Sequence, residues 1–191
     1  MQQVSRTQRL VVIAALSAIS LILMVFVQFS LPILPPAADF LKVDLSIVPI
    51  LVAWAYLGTG AAYWVLVVRS LLKILLANEG LNTWIGLPVN VLTVGAFVGV
   101  FALIARRRLA PLWLMAAGVG ATVVAMVVAL LINWLGVLPL YAHLMHFDVA
   151  QVFGSVTVYL AAIATPFNLI QGFIWTVVAV ILLPALKQIL R

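Results

Sequence analysis

Residues 31–46, LPILPPAADFLKVDLS, interrupt two of the most apolar runs in the sequence. The segment holds three prolines, two aspartates and a lysine in a chain that is 67% hydrophobic. Proline lacks a backbone N–H and biases the residue before it toward extended conformations, so the segment predicts a loop and not a helix. It therefore divides the apolar runs at residues 9–29 and 45–58 into two separate elements.

The composition around this loop is that of an integral membrane protein. The 191 residues include only 7% charged residues, whereas soluble domains carry about 25%, and the mean hydropathy is +1.33. A membrane span takes roughly 20 apolar residues. We therefore predict an all-α protein that forms a single transmembrane domain over residues 1–191. The six predicted spans are residues 9–29, 45–58, 60–77, 86–105, 110–138 and 155–186.

The charges predict how these spans are oriented. Seven of the ten basic residues fall at one end of the predicted spans, and the four acidic residues fall at the other end. Basic loops stay on the cytoplasmic side, so both termini are predicted to be cytoplasmic and residues 31–46 to lie outside, in a multi-pass protein of the bacterial plasma membrane. The basic set is Arg6, Arg9, Arg106, Arg107, Arg108, Lys187 and Arg191; the acidic set is Asp39, Asp44, Glu79 and Asp148.

The loop also carries apolar side chains that need a surface to cover. Phe40, Leu41 and Val43 are unexpected in a solvated linker. A loop of about a dozen residues without its own secondary structure is more often functional than a short one. We interpret residues 31–46 as a lid that faces a substrate, with a plain connection as the alternative.

Several polar residues lie within the predicted spans. Leaving an amide unpaired in an apolar core is costly, so each buried amide either bonds to a neighbouring helix or faces an uncharged ligand. These amides are Asn90, Asn133, Asn168 and Gln171.

The other polar and aromatic candidates each have two interpretations. Arg69 and Lys73 lie four apart on one helical face, where a cation is functional or a structural partner of polar groups. Trp84 either stacks on a planar ligand or belongs to the interfacial aromatic belt. His143 and His146 are three apart, which is weak evidence for a metal site.

The sequence lacks the motifs of several enzyme classes. It contains no cysteine, no G-x-x-x-x-G-K-[ST] phosphate loop, no H-E-x-x-H and no G-x-S-x-G. No acidic residue lies deep within a predicted span, which argues against proton coupling by a carboxylate. A binding protein is therefore favoured, without metal, cofactor or nucleic-acid partner. A stand-alone permease, or an intramembrane enzyme that uses the two histidines, remains the alternative.

Five motifs together resemble a known family. They are FLKVDLS at 40–46, SLLKILL at 70–76, TWIGLPVN at 83–90, NWLGVLPLY at 133–141 and TPFNLIQG at 165–172. In this order they resemble the riboflavin-specific substrate-binding subunit, or S component, of energy-coupling factor (ECF) transporters.

The resemblance implies a six-helix subunit that binds a vitamin from outside, under its first loop and between its last three helices. It also implies association with a membrane coupling subunit and two ATP-binding subunits. Ala14 and Ala18 match the alanine step by which the first helix of such proteins meets the coupling subunit.

The site residues follow from the matching motifs. Asn133 and Asn168 match flavin-contacting asparagines, and Asn90 matches the asparagine of the fourth-helix motif. Gln171 stands where the family usually has lysine. The glutamine keeps a hydrogen-bond donor at this position and removes the positive charge. Another vitamin or a flavin derivative is the alternative ligand. The full predicted binding set is Phe40, Leu41, Val43, Trp84, Asn90, Asn133, Tyr141, Asn168 and Gln171.

Overall fold

The computed structural model describes residues 5–106 and 108–189. The chain is a helical bundle in which four long helical segments follow a first helix and a small hairpin. The elements are α1 (Arg6–Phe26), β1 (Gln28–Ser30), β2 (Lys42–Asp44), α2 (Ile47–Leu57), α3 (Thr59–Leu76), α4 (Leu81–Ala105), α5 (Pro111–Ile132), α6 (Leu138–Met145), α7 (Val149–Phe153), α8 (Val156–Val158) and α9 (Thr165–Ile189).

Helix α1 begins at a capping box. The Ser5 hydroxyl accepts from the Gln8 N–H, and the Gln8 side chain accepts from the Ser5 N–H. Each bond satisfies a donor that the helix cannot pair internally. One face of α1 packs on the bundle through residues such as Ile13, Ser17 and Ser20, and the opposite face is exposed.

The second predicted span is too short to cross a bilayer as a straight helix. Helix α2 has 11 residues, about 17 Å at 1.5 Å per residue, against a hydrocarbon core of roughly 30 Å. It is largely buried inside the bundle, with Trp54 only 1% exposed. In the described part of the chain, the runs long and apolar enough to span are Arg6–Phe26, Thr59–Leu76, Leu81–Ala105, Pro111–Met145 and Val156–Leu186.

The all-α prediction needs one correction, because the first loop contains a short antiparallel hairpin. Gln28 pairs with Asp44, Phe29 with Val43 and Ser30 with Lys42. A single 3₁₀ turn, Pro36–Ala38, lies between the strands. The prolines do exclude an α-helix, as predicted, but the two flanks of the loop have enough β-forming residues to pair with each other.

Two π-helical turns interrupt the last two long segments. Asn133–Val137 joins α5 to α6, and Tyr159–Ala164 joins α8 to α9. Each turn ends two residues before a proline, Pro139 or Pro166. A proline cannot donate to the carbonyl four residues earlier, so the helix widens over the turn that lost its bond.

Helices α5 and α9 cross at very close range. A Cβ added to Gly118 would meet the Thr176 side chain, and one added to Gly172 would meet the Thr122 side chain. The two threonine hydroxyls donate to the carbonyls of these glycines within their own helices, at 2.8 and 2.7 Å. Small residues therefore let the two backbones approach and fix the last long helix against the fifth.

Candidate functional site

A cavity of about 800 Å³ lies between the first loop and the last helices. Its wall comes from loop residues 39–42 and 44, the first half of α4, the π-helical turn Asn133–Val137 with α6, and the start of α9. The volume is in the range of small-molecule sites, which run from roughly 300 to 1,000 Å³. Its wall includes both polar and apolar side chains.

Seven of the nine predicted binding residues line this cavity. The sequence motifs that carry them are far apart along the chain, and only the helix packing brings them to one place. The seven are Phe40, Leu41, Asn90, Asn133, Tyr141, Asn168 and Gln171.

Val43 does not face the cavity, contrary to its predicted place in the binding set. Its side chain is fully buried and packs in an apolar cluster with Leu31 and Phe167. Alternate residues of a strand point to opposite sides, so the neighbours of Val43, Lys42 and Asp44, line the cavity instead. Val43 attaches the loop to α9.

Trp84 also lies outside the main cavity. It is 58% exposed and borders a separate apolar pocket of about 280 Å³ with residues of α3 such as Leu71 and Ile74. This placement fits the alternative interpretation of Trp84 as an aromatic residue of the membrane interface.

Asn133 and Asn168 present the same chemical group to the cavity. Each side-chain NH₂ donates to the backbone carbonyl four residues earlier, Ala129 or Ala164, at 2.8 Å. A carbonyl only accepts, so the contact fixes which end of each amide faces the helix. The amide oxygen and the second N–H of each residue are therefore available to a ligand.

Asn90 is held the opposite way round. Its Oδ1 accepts from the Arg69 guanidinium at 2.7 Å, which leaves its NH₂ for the cavity. Arg69 is fully buried and bonds to side chains, so the structure favours a structural role for this cation over ligand contact. Lys73 does line the cavity, where its ammonium pairs with Glu79 at 2.6 Å.

The loop covers the cavity through aromatic contacts. Phe40 packs edge-on against Phe147 with ring centroids 5.8 Å apart, and stacks on Tyr159 at 6.4 Å. Ala38 is buried in a cluster that includes Leu138 and Tyr159. The lid, residues 31–46, is therefore closed against the start of the last long segment.

Sequence reasoning missed Tyr159, Phe147 and Phe167, which also line the cavity. All three are aromatic residues in apolar surroundings, where sequence alone does not separate a cavity wall from a core. For Tyr159 the sequence did contain a usable signal. Pro166, in the next two turns of the helix, predicts an irregular helix before it, and π-helical turns occur frequently at functional sites.

The histidine and alanine pairs lie away from the cavity wall. His143 is in α6 and His146 ends that helix in a left-handed conformation. Asp148 caps α7 by accepting from the Ala150 N–H. Among the described residues, no three metal-ligating side chains come together. Ala14 and Ala18 lie on the exposed face of α1.

A bundle of apolar helices with a cavity of polar and apolar side chains beneath its first loop is the architecture expected of a membrane protein that binds a small molecule. The chain belongs to the family described as "ECF transporter, substrate-specific component", whose sequence profile matches residues 8–183. This family membership assigns the protein to transport and not to catalysis.

Individual relatives agree with this family. The chain is 43% identical to the riboflavin transporter RibU of Leuconostoc mesenteroides, over 98% of this chain and 95% of that protein. It is 39% identical to RibU of Streptococcus thermophilus, over 97% and 86%. The fold resembles a solved S component of a bacterial ECF transporter with a TM-score of 0.78 and 28% identity, covering 98% of this chain and 99% of that one.

Proposed function

We propose that this protein is the riboflavin-binding S component of an ECF transporter and captures the vitamin for uptake. The observation that carries the proposal is the cavity beneath the lid, in which Asn90, Asn133 and Asn168 meet apolar and aromatic walls. A flavin has a flat apolar ring, an edge of carbonyl and ring-nitrogen groups, and a hydroxylated chain. The naming of several close relatives as riboflavin transporters supports the same ligand.

In the proposed complex, the ring lies in the apolar part of the cavity beneath Phe40 and Leu41. Asn133 and Asn168 offer an acceptor and a donor each, and Gln171, which is 7% exposed and also lines the cavity, adds a further amide. Tyr141 completes the polar wall. Shape and hydrogen bonding together then determine which ligand is bound.

The direct test is a titration of purified protein with riboflavin. We expect saturable quenching of flavin fluorescence at or below micromolar riboflavin. Thiamine, biotin, pantothenate and flavin mononucleotide serve as competitors, and displacement by one of the first three would favour a different vitamin. Absence of saturable quenching at micromolar riboflavin would remove riboflavin as the ligand.

The proposal places residues 1–191 in one transmembrane domain with six crossings, of which the second is made by α2 together with the lid, which is not α-helical. Both termini are cytoplasmic and the cavity opens outward, in the plasma membrane. Arg6, Arg9, Arg106 and Arg108 support this orientation; Arg107 and Arg191 lie outside the described residues.

A cysteine introduced at Asp39, in an otherwise cysteine-free chain, should react with an impermeant thiol reagent added to intact cells.

Transport is proposed to require a membrane coupling subunit and two ATP-binding subunits. Ala14 and Ala18 lie exposed on α1, where a flat surface permits close contact with another helix. Replacing both by tryptophan should abolish uptake but leave flavin binding intact. Ile19→Trp, at a 48% exposed position about a quarter-turn away, is the control. Uptake in cells that lack all three partner subunits would instead support a stand-alone permease.

A further inference from the structure

Arg69 lies near the middle of α3, with an exposed fraction of 0%. A cation at such a position is costly on membrane-insertion scales. Within the described residues its Nε has no hydrogen-bond partner. Because a neutral residue would join two helices at lower cost, the guanidinium needs a more specific explanation.

Its two terminal nitrogens bond to two different parts of the binding site. Nη1 donates to the Ser46 hydroxyl at 2.6 Å, and Nη2 donates to Oδ1 of Asn90 at 2.7 Å. Ser46 lies between the lid hairpin and α2, whereas Asn90 lines the cavity from α4. One planar group therefore connects the base of the lid to the wall of the cavity.

The base of the lid is fixed by further bonds around Ser46. Its N–H donates to the Asp44 carboxylate at 2.7 Å, and its carbonyl accepts from the Ser20 hydroxyl at 2.6 Å. The Asp44 carbonyl accepts from the Trp175 indole at 3.1 Å. Movement of the guanidinium would therefore be transmitted to β2 and to the contacts of α1 and α9.

The same guanidinium determines the orientation of Asn90. Arginine has donors and no acceptor, so only the amide oxygen of Asn90 can face it. The NH₂ group is then directed to the cavity, and a ligand atom beside Asn90 has to be an acceptor. A lysine has one compact ammonium in place of the flat two-pronged group and cannot hold Ser46 and Asn90 in the same planar arrangement.

We propose that Arg69 is a positioning residue that fixes Asn90 as a hydrogen-bond donor to the ligand and holds the base of the lid. Arg69 does so without contacting the ligand. The identity of the ligand used in the test rests on the function proposed above, but the positioning role does not. Ligand selection at Asn90 and stability of the closed lid are coupled through this side chain.

Asn90→Asp tests the donor orientation without disturbing Arg69. The aspartate has the same shape and still accepts from the guanidinium, but it offers the cavity acceptors only. We expect the riboflavin Kd to rise about 10-fold, as for the loss of one hydrogen bond, while the thermal midpoint of the ligand-free protein does not fall. An unchanged Kd would overturn the donor assignment.

A double-mutant cycle separates positioning from general stabilisation. Arg69→Met, measured on monodisperse folded protein, should raise the riboflavin Kd at least about fivefold more in the native background than in the Asn90→Ala background. Arg69→Lys should restore part of the loss. Equal factors in the two backgrounds would mean that Arg69 acts on the fold alone and would overturn its action through Asn90.

Hydrogen exchange of ligand-free protein tests the lid separately. Arg69→Met should speed exchange in peptides that cover residues 42–46, and Asn90→Asp should not. Unchanged exchange in Arg69→Met would overturn the lid connection. If wild-type protein binds no riboflavin, the flavin assignment fails, and this ligand-free measurement alone decides whether Arg69 holds the lid.

Discussion

Among single residues, the asparagines of the last two long segments are oriented by hydrogen bonds to the backbone of their own segment. Asn133 and Asn168 each spend one N–H on the carbonyl one helical turn earlier, which holds the side chain in one rotamer. The amide side chain therefore loses less conformational entropy when a ligand binds. Groups that are ordered in advance in this way bind more tightly.

Asn168→Ala should weaken riboflavin binding by about 1 to 3 kcal/mol, because a polar group of the buried ligand is left without its partner. The measurement is the Kd from fluorescence quenching. Gln151→Ala removes an exposed amide from α7, away from the cavity wall, and is the matched control with an unchanged Kd. An unchanged Kd for Asn168→Ala would return this residue to a purely structural role.

At the scale of elements, the lid is attached at both ends and in the middle. The hairpin anchors its ends, Val43 packs against Phe167 near the base, and Phe40 closes the far side against Phe147 and Tyr159. The contact at Phe40 is more exposed than the one at Val43, since Phe40 is 50% accessible and Val43 is fully buried. Opening is therefore expected to begin there.

Phe40→Ser should raise the riboflavin dissociation rate on the order of 10-fold. It removes two aromatic contacts, each of about 0.5 to 1.5 kcal/mol, that hold the lid closed. Stopped-flow release of bound flavin measures the rate. Ile33→Ser changes another exposed apolar residue of the lid, 74% accessible and outside the cavity wall, and should leave the rate unchanged. Equal effects of the two substitutions would contradict a specific closure at Phe40.

At the scale of the whole molecule, the crossing of α5 and α9 sets the width of the cavity. Asn133 follows α5, and Asn168 and Gln171 lie at the start of α9. The glycine and threonine contacts at Gly118 and Gly172 hold these two helices together below the site. Stability and site geometry therefore depend on the same small residues.

Gly172→Ala should destabilise the protein by about 1 to 3 kcal/mol, because the new methyl group overlaps the Thr122 side chain. The thermal midpoint in detergent should fall, and the riboflavin Kd should rise as α9 moves. Gly60→Ala is the control, since a Cβ there has no atom within 4 Å and alanine is the better helix former. A midpoint as high as that of Gly60→Ala would contradict the tight crossing.

Much of the architecture was predictable from local properties of the sequence. The apolar runs predicted the five long helical segments, because a span needs only length and hydropathy to be recognised. The predicted start at residue 86 of the fourth segment was wrong: α4 begins at Leu81, because the polar Asn82 and Thr83 extend the helix beyond the apolar run. The hairpin at the lid was not predicted, since its pairing joins residues a dozen or more positions apart.

The lining of the cavity was predictable in its residue types and less so in its arrangement. Buried amides are costly, so Asn90, Asn133, Asn168 and Gln171 stood out from an apolar chain. Val43 was predicted to face the ligand and instead packs away from the cavity. The sequence of residues 40–43 does not indicate which side chains of the strand point toward the cavity. Trp84 was misplaced because an aromatic residue at a helix start suits a cavity and a membrane interface equally well.

Local properties of the sequence were enough to show that the chain is a membrane bundle, that residues 31–46 are not α-helical, and that a few amides interrupt its apolar runs. These properties depend on hydropathy, on proline chemistry and on the cost of burying polar groups. Which end of the Asn90 amide faces the cavity became clear only from the folded structure, because its partner Arg69 lies on a different helix, whereas Asn133 and Asn168 bond to carbonyls four residues earlier in their own segments. Arg69 turns Asn90 one way, and backbone carbonyls turn Asn133 and Asn168 the other.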